Sequence, residues 1–108
     1  MRSSEDFRVT VRRGAKAARP TLVAHVVLPV VADAGSATSV GFVVNRGVGS
    51  AVVRNRVKRR LRHLMRSRMP GVPAGSRIVI RALPAASSAT RASLSSDLDD
   101  ALSQAGAR

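Results

Sequence analysis

The chain has 108 residues, enough for one domain spanning residues 1–108 and a core of about three layers at most. Two Phe, no Tyr and no Trp mean that the core is aliphatic, and the absence of Cys excludes a disulfide framework, a thiolate zinc site and a cysteine nucleophile. Nineteen Lys and Arg against six Asp and Glu give a net charge of +13, a self-repelling field that points to a polyanionic partner and away from a small-molecule substrate.

In chain order, Ser3-Ser4-Glu5-Asp6 ahead of Phe7, Val9 and Val11 predicts a short capped helix with acids in its first turn. Phe7 and Val11 share one face, Arg8 and Arg12 the neighbouring one, and Gly14 stops the helix. Leu22–Leu28 is nearly continuous in apolar character and is expected to be a strand. A loop over Ala32–Ser36 leads to a second strand, Ser39–Val44. Asn45-Arg46-Gly47-Val48-Gly49 is a glycine-bearing turn, and Ser50 is placed to cap a helix from Ala51 to about Ser67. Met69–Gly75 ends that helix, Arg77–Arg81 is a third strand, and Leu94, Leu98, Ala101 and Leu102 mark a last helix after a Ser/Ala/Thr loop. The pattern is α+β, with helices packed on a small sheet.

The central helix carries the functional signal. At about 100° per residue, Val53, Val57, Leu61, Leu64 and Met65 cluster on one side. With Arg54 taken as zero, Lys58, Arg62, Asn55, Arg66, Arg59, His63 and Arg56 spread over roughly 40° to 200°. Solvated helices mix charge signs, because acid–base pairs four apart support them and like charges oppose them. No acid occurs from Gly35 to Ser96, against twelve basic residues, so this stripe is expected to bind nucleic acid. A DNA-reading helix, or a structural RNA-binding protein of ribosomal type, is compatible with composition alone.

The run Val40-Gly41-Phe42-Val43-Val44-Asn45-Arg46-Gly47-Val48-Gly49-Ser50-Ala51-Val52-Val53-Arg54-Asn55-Arg56-Val57-Lys58-Arg59-Arg60-Leu61-Arg62 resembles the signature of the bacterial ribonuclease P protein family, a strand, a polar turn and an Arg-Asn-Arg helix. Glu5-Asp6-Phe7, Gly14, Ile78-Val79-Ile80 and the leucine-spaced C-terminal helix extend the resemblance over essentially the whole chain. It implies an α-β-β-β-α-β-α sandwich in which a left-handed crossover carries the central helix, a rarity among such connections. It also implies a role in removing the 5′ leader from precursor tRNA, with the chemistry performed by an RNA subunit that holds Mg²⁺, and with that RNA and the leader as partners. On this resemblance Arg54, Asn55, Arg56, Lys58, Arg59, Arg62 and Arg66 face the ribozyme, joined by Asn45 and Arg46 in the turn. Phe7, Arg8, Val11 and His25 line a leader cleft between the first helix and the sheet. Val11 and His25 stand where the family usually has aromatics, and Gly47 stands where it has a second basic residue, which bears on how strongly leader bases are stacked. The chain begins at Met1-Arg2-Ser3, with fewer basic residues before the first helix than the family usually shows.

No catalytic constellation is expected in the protein itself. His25 and His63 have no carboxylate near them in sequence, and Gly47-Val48-Gly49 lacks the Gly-Lys-Ser/Thr ending of a phosphate loop. Asp97, Asp99 and Asp100 read as a solvated face of the last helix, not as metal ligands. The basic N-terminus has no apolar core of a signal peptide, and Thr21–Ala32, broken by His25 and Pro29, is too short to span a bilayer, so a cytoplasmic protein is expected.

Overall fold

The fold was taken from a computed structural model that describes residues 4–29 and 37–107, with side chains from residue 8 onward. The expected loop over Ala32–Ser36, the helix cap at Ser3 and the side chain of Phe7 lie outside the described residues. Three helices, α1 (Ser4–Arg13), α2 (Ala51–Arg68) and α3 (Arg91–Gln104), accompany four strands, β1 (Ala15–Ala18), β2 (Leu22–Val27), β3 (Ser39–Val43) and β4 (Arg77–Ala82). The order along the chain is α-β-β-β-α-β-α.

The strands form one mixed sheet in the order β1-β2-β4-β3, antiparallel except for β3 beside β4. A parallel neighbour requires a crossover, and α2 supplies it. Alternation along the strands sends Leu22, Ala24 and Val26 of β2, and Ile78, Ile80 and Ala82 of β4, to one face, where they join the core with Val57, Leu61, Leu64 and Met65 of α2 and Leu94, Leu98 and Leu102 of α3. Val23, His25 and Val79 are turned to the opposite face and are buried there, where α1 packs against β2 and β4. Among the described residues no helix is long and apolar enough to cross a membrane.

Gly14 fixes how closely α1 approaches the sheet. Its amide closes the helix on the Thr10 carbonyl at 2.9 Å, and a Cβ there would meet that same carbonyl oxygen and lie 2.9 Å from the Val26 carbonyl oxygen. Any side chain would force the helix off β2.

Residue patterning alone finds three strands, and the structure adds β1. Ala-Lys-Ala-Ala lacks the alternation of a half-buried strand, and only Ala17 is buried; its pairing with β2 creates the strand. Of the three acids of α3 expected on a solvated face, Asp100 is exposed there, whereas Asp97 and Asp99 are engaged by the fold. Asp97 accepts hydrogen bonds from the Thr21 backbone N–H at 3.1 Å and its hydroxyl at 2.6 Å, tying α3 to the start of β2. Asp99 accepts a forked pair from Arg68, Nε at 2.6 Å and Nη2 at 3.1 Å, while Arg68 also donates to Ser95 Oγ and the Leu64 carbonyl, both at 2.6 Å. Arg68 is 11 % exposed in its side chain, so the pair clamps the end of α2 to α3.

Asp97→Ala leaves the buried Thr21 donors without their acceptor. It should cost about 1–3 kcal/mol in urea unfolding. Ser103→Ala, on the exposed side of the same helix, should stay within about 0.5 kcal/mol of the parent.

Candidate nucleic-acid interface

The turn before α2 sets the helix's position. Asn45 Oδ1 accepts from the Gly47 N–H at 3.2 Å, its carbonyl accepts from Val48 at 3.1 Å, and Gly49 N–H closes on the Arg46 carbonyl at 3.2 Å. Val48 is buried and pins the turn to the core. Gly49 has φ +152°, a conformation that L side chains rarely adopt, and a Cβ there would crowd Val53 at 3.0 Å. Ser50 Oγ then accepts from the Val53 N–H at 3.3 Å, the expected N-cap. Asn45 is thus partly used in shaping the turn, while Arg46 beside it is exposed.

From this start, the buried seam of Val57, Leu61, Leu64 and Met65 aims the remaining positions outward. Asn55, Arg56, Lys58, Arg59, Arg62, His63 and Arg66 are all exposed, on one continuous side of the helix. Arg56 Nη2 donates to the Ser87 carbonyl at 3.2 Å and is partly held by the fold. Lys58, Arg59, Arg62 and Arg66 have no acidic partner among the described residues; the ion pair found there joins Arg68 to Asp99. Arg54 differs from its expected place. It is half-buried at the margin of the stripe, and its Nε is buried without a hydrogen-bond partner. Helical geometry explains this, because Arg54 sits about 20° from buried Met65. Sequence reasoning also passed over Val52, which is 76 % exposed and lies within the basic side, about 20° from Arg59.

On the other face, the residues expected to line a second cleft are arranged around α1. Arg8 is exposed on the helix, and Val11 is 38 % exposed. His25 lies in β2 beneath the helix, flanked in register by Lys16 and Val79. It is 3 % exposed, and neither ring nitrogen has a hydrogen-bond partner among the described residues. Burial lowers its pKa below 6.5, and the charges of Arg81 and Lys16 lower it further. His25 therefore stays neutral where an exposed histidine would begin to protonate.

Among the described residues no three acids or histidines gather as a metal site. Asp97 and Asp99 are already engaged by Thr21 and Arg68.

Comparison with known proteins gives consistent matches. A family model described as Ribonuclease P matches residues 1–106. The ribonuclease P protein component of Streptomyces avermitilis is 50 % identical over 107 residues, covering 94 % of this chain and 87 % of that protein. That of a Nocardioides species is 47 % identical over 109 residues, covering 99 % and 91 %. Among solved structures, the Staphylococcus aureus RNase P protein superposes with a TM-score of 0.85 at 21 % identity, covering 99 % of this chain and 94 % of that one. The Thermotoga maritima RNase P protein gives 0.76 at 22 % identity, covering 93 % and 91 %; these two likenesses bear on the fold alone.

The burial of His25 has a signed consequence. Its folded pKa lies below the unfolded value of 6.5, so the unfolded chain takes up the proton more readily. The stability this group allows is complete above about pH 6.5 and is lost as pH falls towards the lowered folded value. His25→Phe should flatten the dependence of unfolding free energy on pH between about pH 7.5 and about pH 5, measured by urea melts. An unchanged slope would show that His25 does not set it.

Proposed function

The chain belongs to the ribonuclease P protein family, the protein component of a tRNA-processing ribonucleoprotein, and from that membership we propose how its two faces are used. The exposed side of α2, with Asn45 and Arg46 in the turn before it, seats on the ribonuclease P RNA. The face formed by α1 and the sheet, with Phe7, Arg8 and Val11, receives the 5′ leader of precursor tRNA; His25, expected to line that cleft, is instead enclosed beneath α1 and supports it from below. One observation carries this reading: Lys58, Arg59, Arg62 and Arg66 stand exposed on one side of a firmly packed helix, with no acid among the described residues to neutralise them. Guanidinium groups match phosphate geometry in forked pairs, and neutralising phosphates releases counterions. Asn55, near the middle of the stripe, adds a neutral donor and acceptor.

Hydrolysis of the leader bond is assigned to the RNA subunit, together with the Mg²⁺ that such cleavage uses. The protein contributes charge and shape. Its cations lower the repulsion between ribozyme and precursor, so that assembly needs less divalent ion. On the leader side, α1 offers the exposed Arg8 to phosphates and a modest apolar surface at Val11 to bases.

Purified protein mixed with a bacterial ribonuclease P RNA should promote 5′ cleavage of precursor tRNA at lower Mg²⁺ than the RNA alone needs. Without the RNA it should not cleave, and site-specific cleavage by RNA-free protein would sink the assignment of the chemistry. Lys58→Ala with Arg62→Ala should weaken binding to that RNA. It should also reduce the slope of log K against log salt by roughly 0.7–0.9 for each phosphate no longer neutralised. Val11→Phe should tighten binding of leader-bearing precursor by up to about 1–3 kcal/mol and leave mature tRNA unaffected. Equal changes for both tRNAs would place Val11 outside the leader path.

A further inference from the structure

Beside the cation stripe, α2 and the outer strand of the sheet enclose a groove that charge alone does not explain. Its volume is about 240 Å³, and its floor is Val40, Phe42, Met65 and Met69. Met65 belongs to the core, while Val40, Phe42 and Met69 are only partly buried against it, leaving apolar surface and the one phenyl ring among the described side chains open to the groove. Arg62 and Arg66, four apart and therefore on one helical row, form its wall, and both are exposed.

The strand that supplies the floor also supplies hydrogen-bonding groups. β3 is the last strand of the sheet, with β4 on one side and no described strand on the other. The Ser39 N–H donates to the Ser76 carbonyl at 3.0 Å, towards β4. Alternation then turns the backbone N–H and C=O of Val40 and Phe42 to the edge that no described strand covers, on the same two residues whose side chains line the groove.

We propose that this groove holds one unpaired nucleotide of the ribonuclease P RNA, its base against Phe42 and Met69, its phosphate between Arg62 and Arg66, and its base edge on the outward backbone groups of β3. This rests on the reading that α2 faces that RNA. Single-stranded RNA is recognised by these three elements together: a stacking surface, cations on the backbone, and donors and acceptors on the base edge. Two features favour a nucleotide over a protein strand. The groove is smaller than the ~300–1,000 Å³ typical of drug-sized ligand sites, which suits a single base. Its wall is cationic and continuous with Lys58 and Arg59, so the same polyanion reaches both.

The chain has no cysteine, so Thr38→Cys, at the mouth of the groove, gives a unique handle for an azidophenacyl photo-crosslinker. Irradiated in complex with ribonuclease P RNA, it should crosslink to one unpaired nucleotide. Ser103→Cys, exposed on α3, should not. Phe42→Leu keeps an apolar side chain in the fold but removes the ring. After a thermal melt confirms folding, it should weaken RNA binding on the order of fivefold or more without changing the salt slope. Crosslinks only to paired nucleotides, to precursor tRNA or to a second copy of the protein would overturn the proposal. So would parent-like binding by folded Phe42→Leu, even with the effect of the Lys58 and Arg62 substitutions intact. Failure of the unsubstituted protein to bind the RNA at all would overturn the reading of α2 as well.

Discussion

The packing of one side of α2 against the sheet holds a helix that its own charges oppose. Arg54–Lys58, Lys58–Arg62, Arg62–Arg66 and Arg56–Arg60 are all like-charge pairs four apart, and no acid in the helix relieves them. Each such pair costs only a few tenths of a kcal/mol. Burial of each of Val57, Leu61, Leu64 and Met65 contributes about 1.5–3 kcal/mol, so packing wins. The same seam decides which side of the helix faces out. A cation row is therefore presented on a rigid support, with its direction set by aliphatic packing that has nothing to do with RNA.

Among the described residues, the rest of the fold leaves that row unneutralised. Two acids of α3 that could have answered it are already engaged, Asp97 by Thr21 and Asp99 by Arg68. The clamp at Arg68 removes one arginine from the surface, but it fixes the C-terminal end of α2 to α3 and so holds Arg62 and Arg66 in place. The sheet separates two faces of the molecule. One carries α2 and the core; the other carries α1, closely seated because Gly14 has no Cβ, with His25 enclosed beneath it.

Much of this was legible in the sequence, for definite physical reasons. α2 is long, periodic and preceded by a glycine-bearing turn and a Ser cap, so its limits and its exposed side follow from spacing alone. The family resemblance rests on that same segment. β1 was not legible from its residues, because Ala-Lys-Ala-Ala becomes a strand only by pairing with β2. The roles of Asp97 and Asp99 depend on residues 76 and 31 positions away, which no local pattern encodes. Arg54 lies at the edge of the stripe, about 20° from Met65 around the helix and therefore half-covered. The groove beside Phe42 arises from the meeting of β3 and the far half of α2, and only the folded chain brings these together.

The central claim is that the exposed side of α2 is the surface that meets ribonuclease P RNA. Arginine-selective modification with phenylglyoxal, read by peptide mass spectrometry with and without that RNA, tests it most directly. Arg59, Arg62 and Arg66 should react in the free protein and become protected in the complex. Arg91, exposed at the start of α3, should react in both, and Arg68, held by Asp99, should react little in either. Undiminished reactivity of Arg59, Arg62 and Arg66 in a saturated complex would contradict the claim.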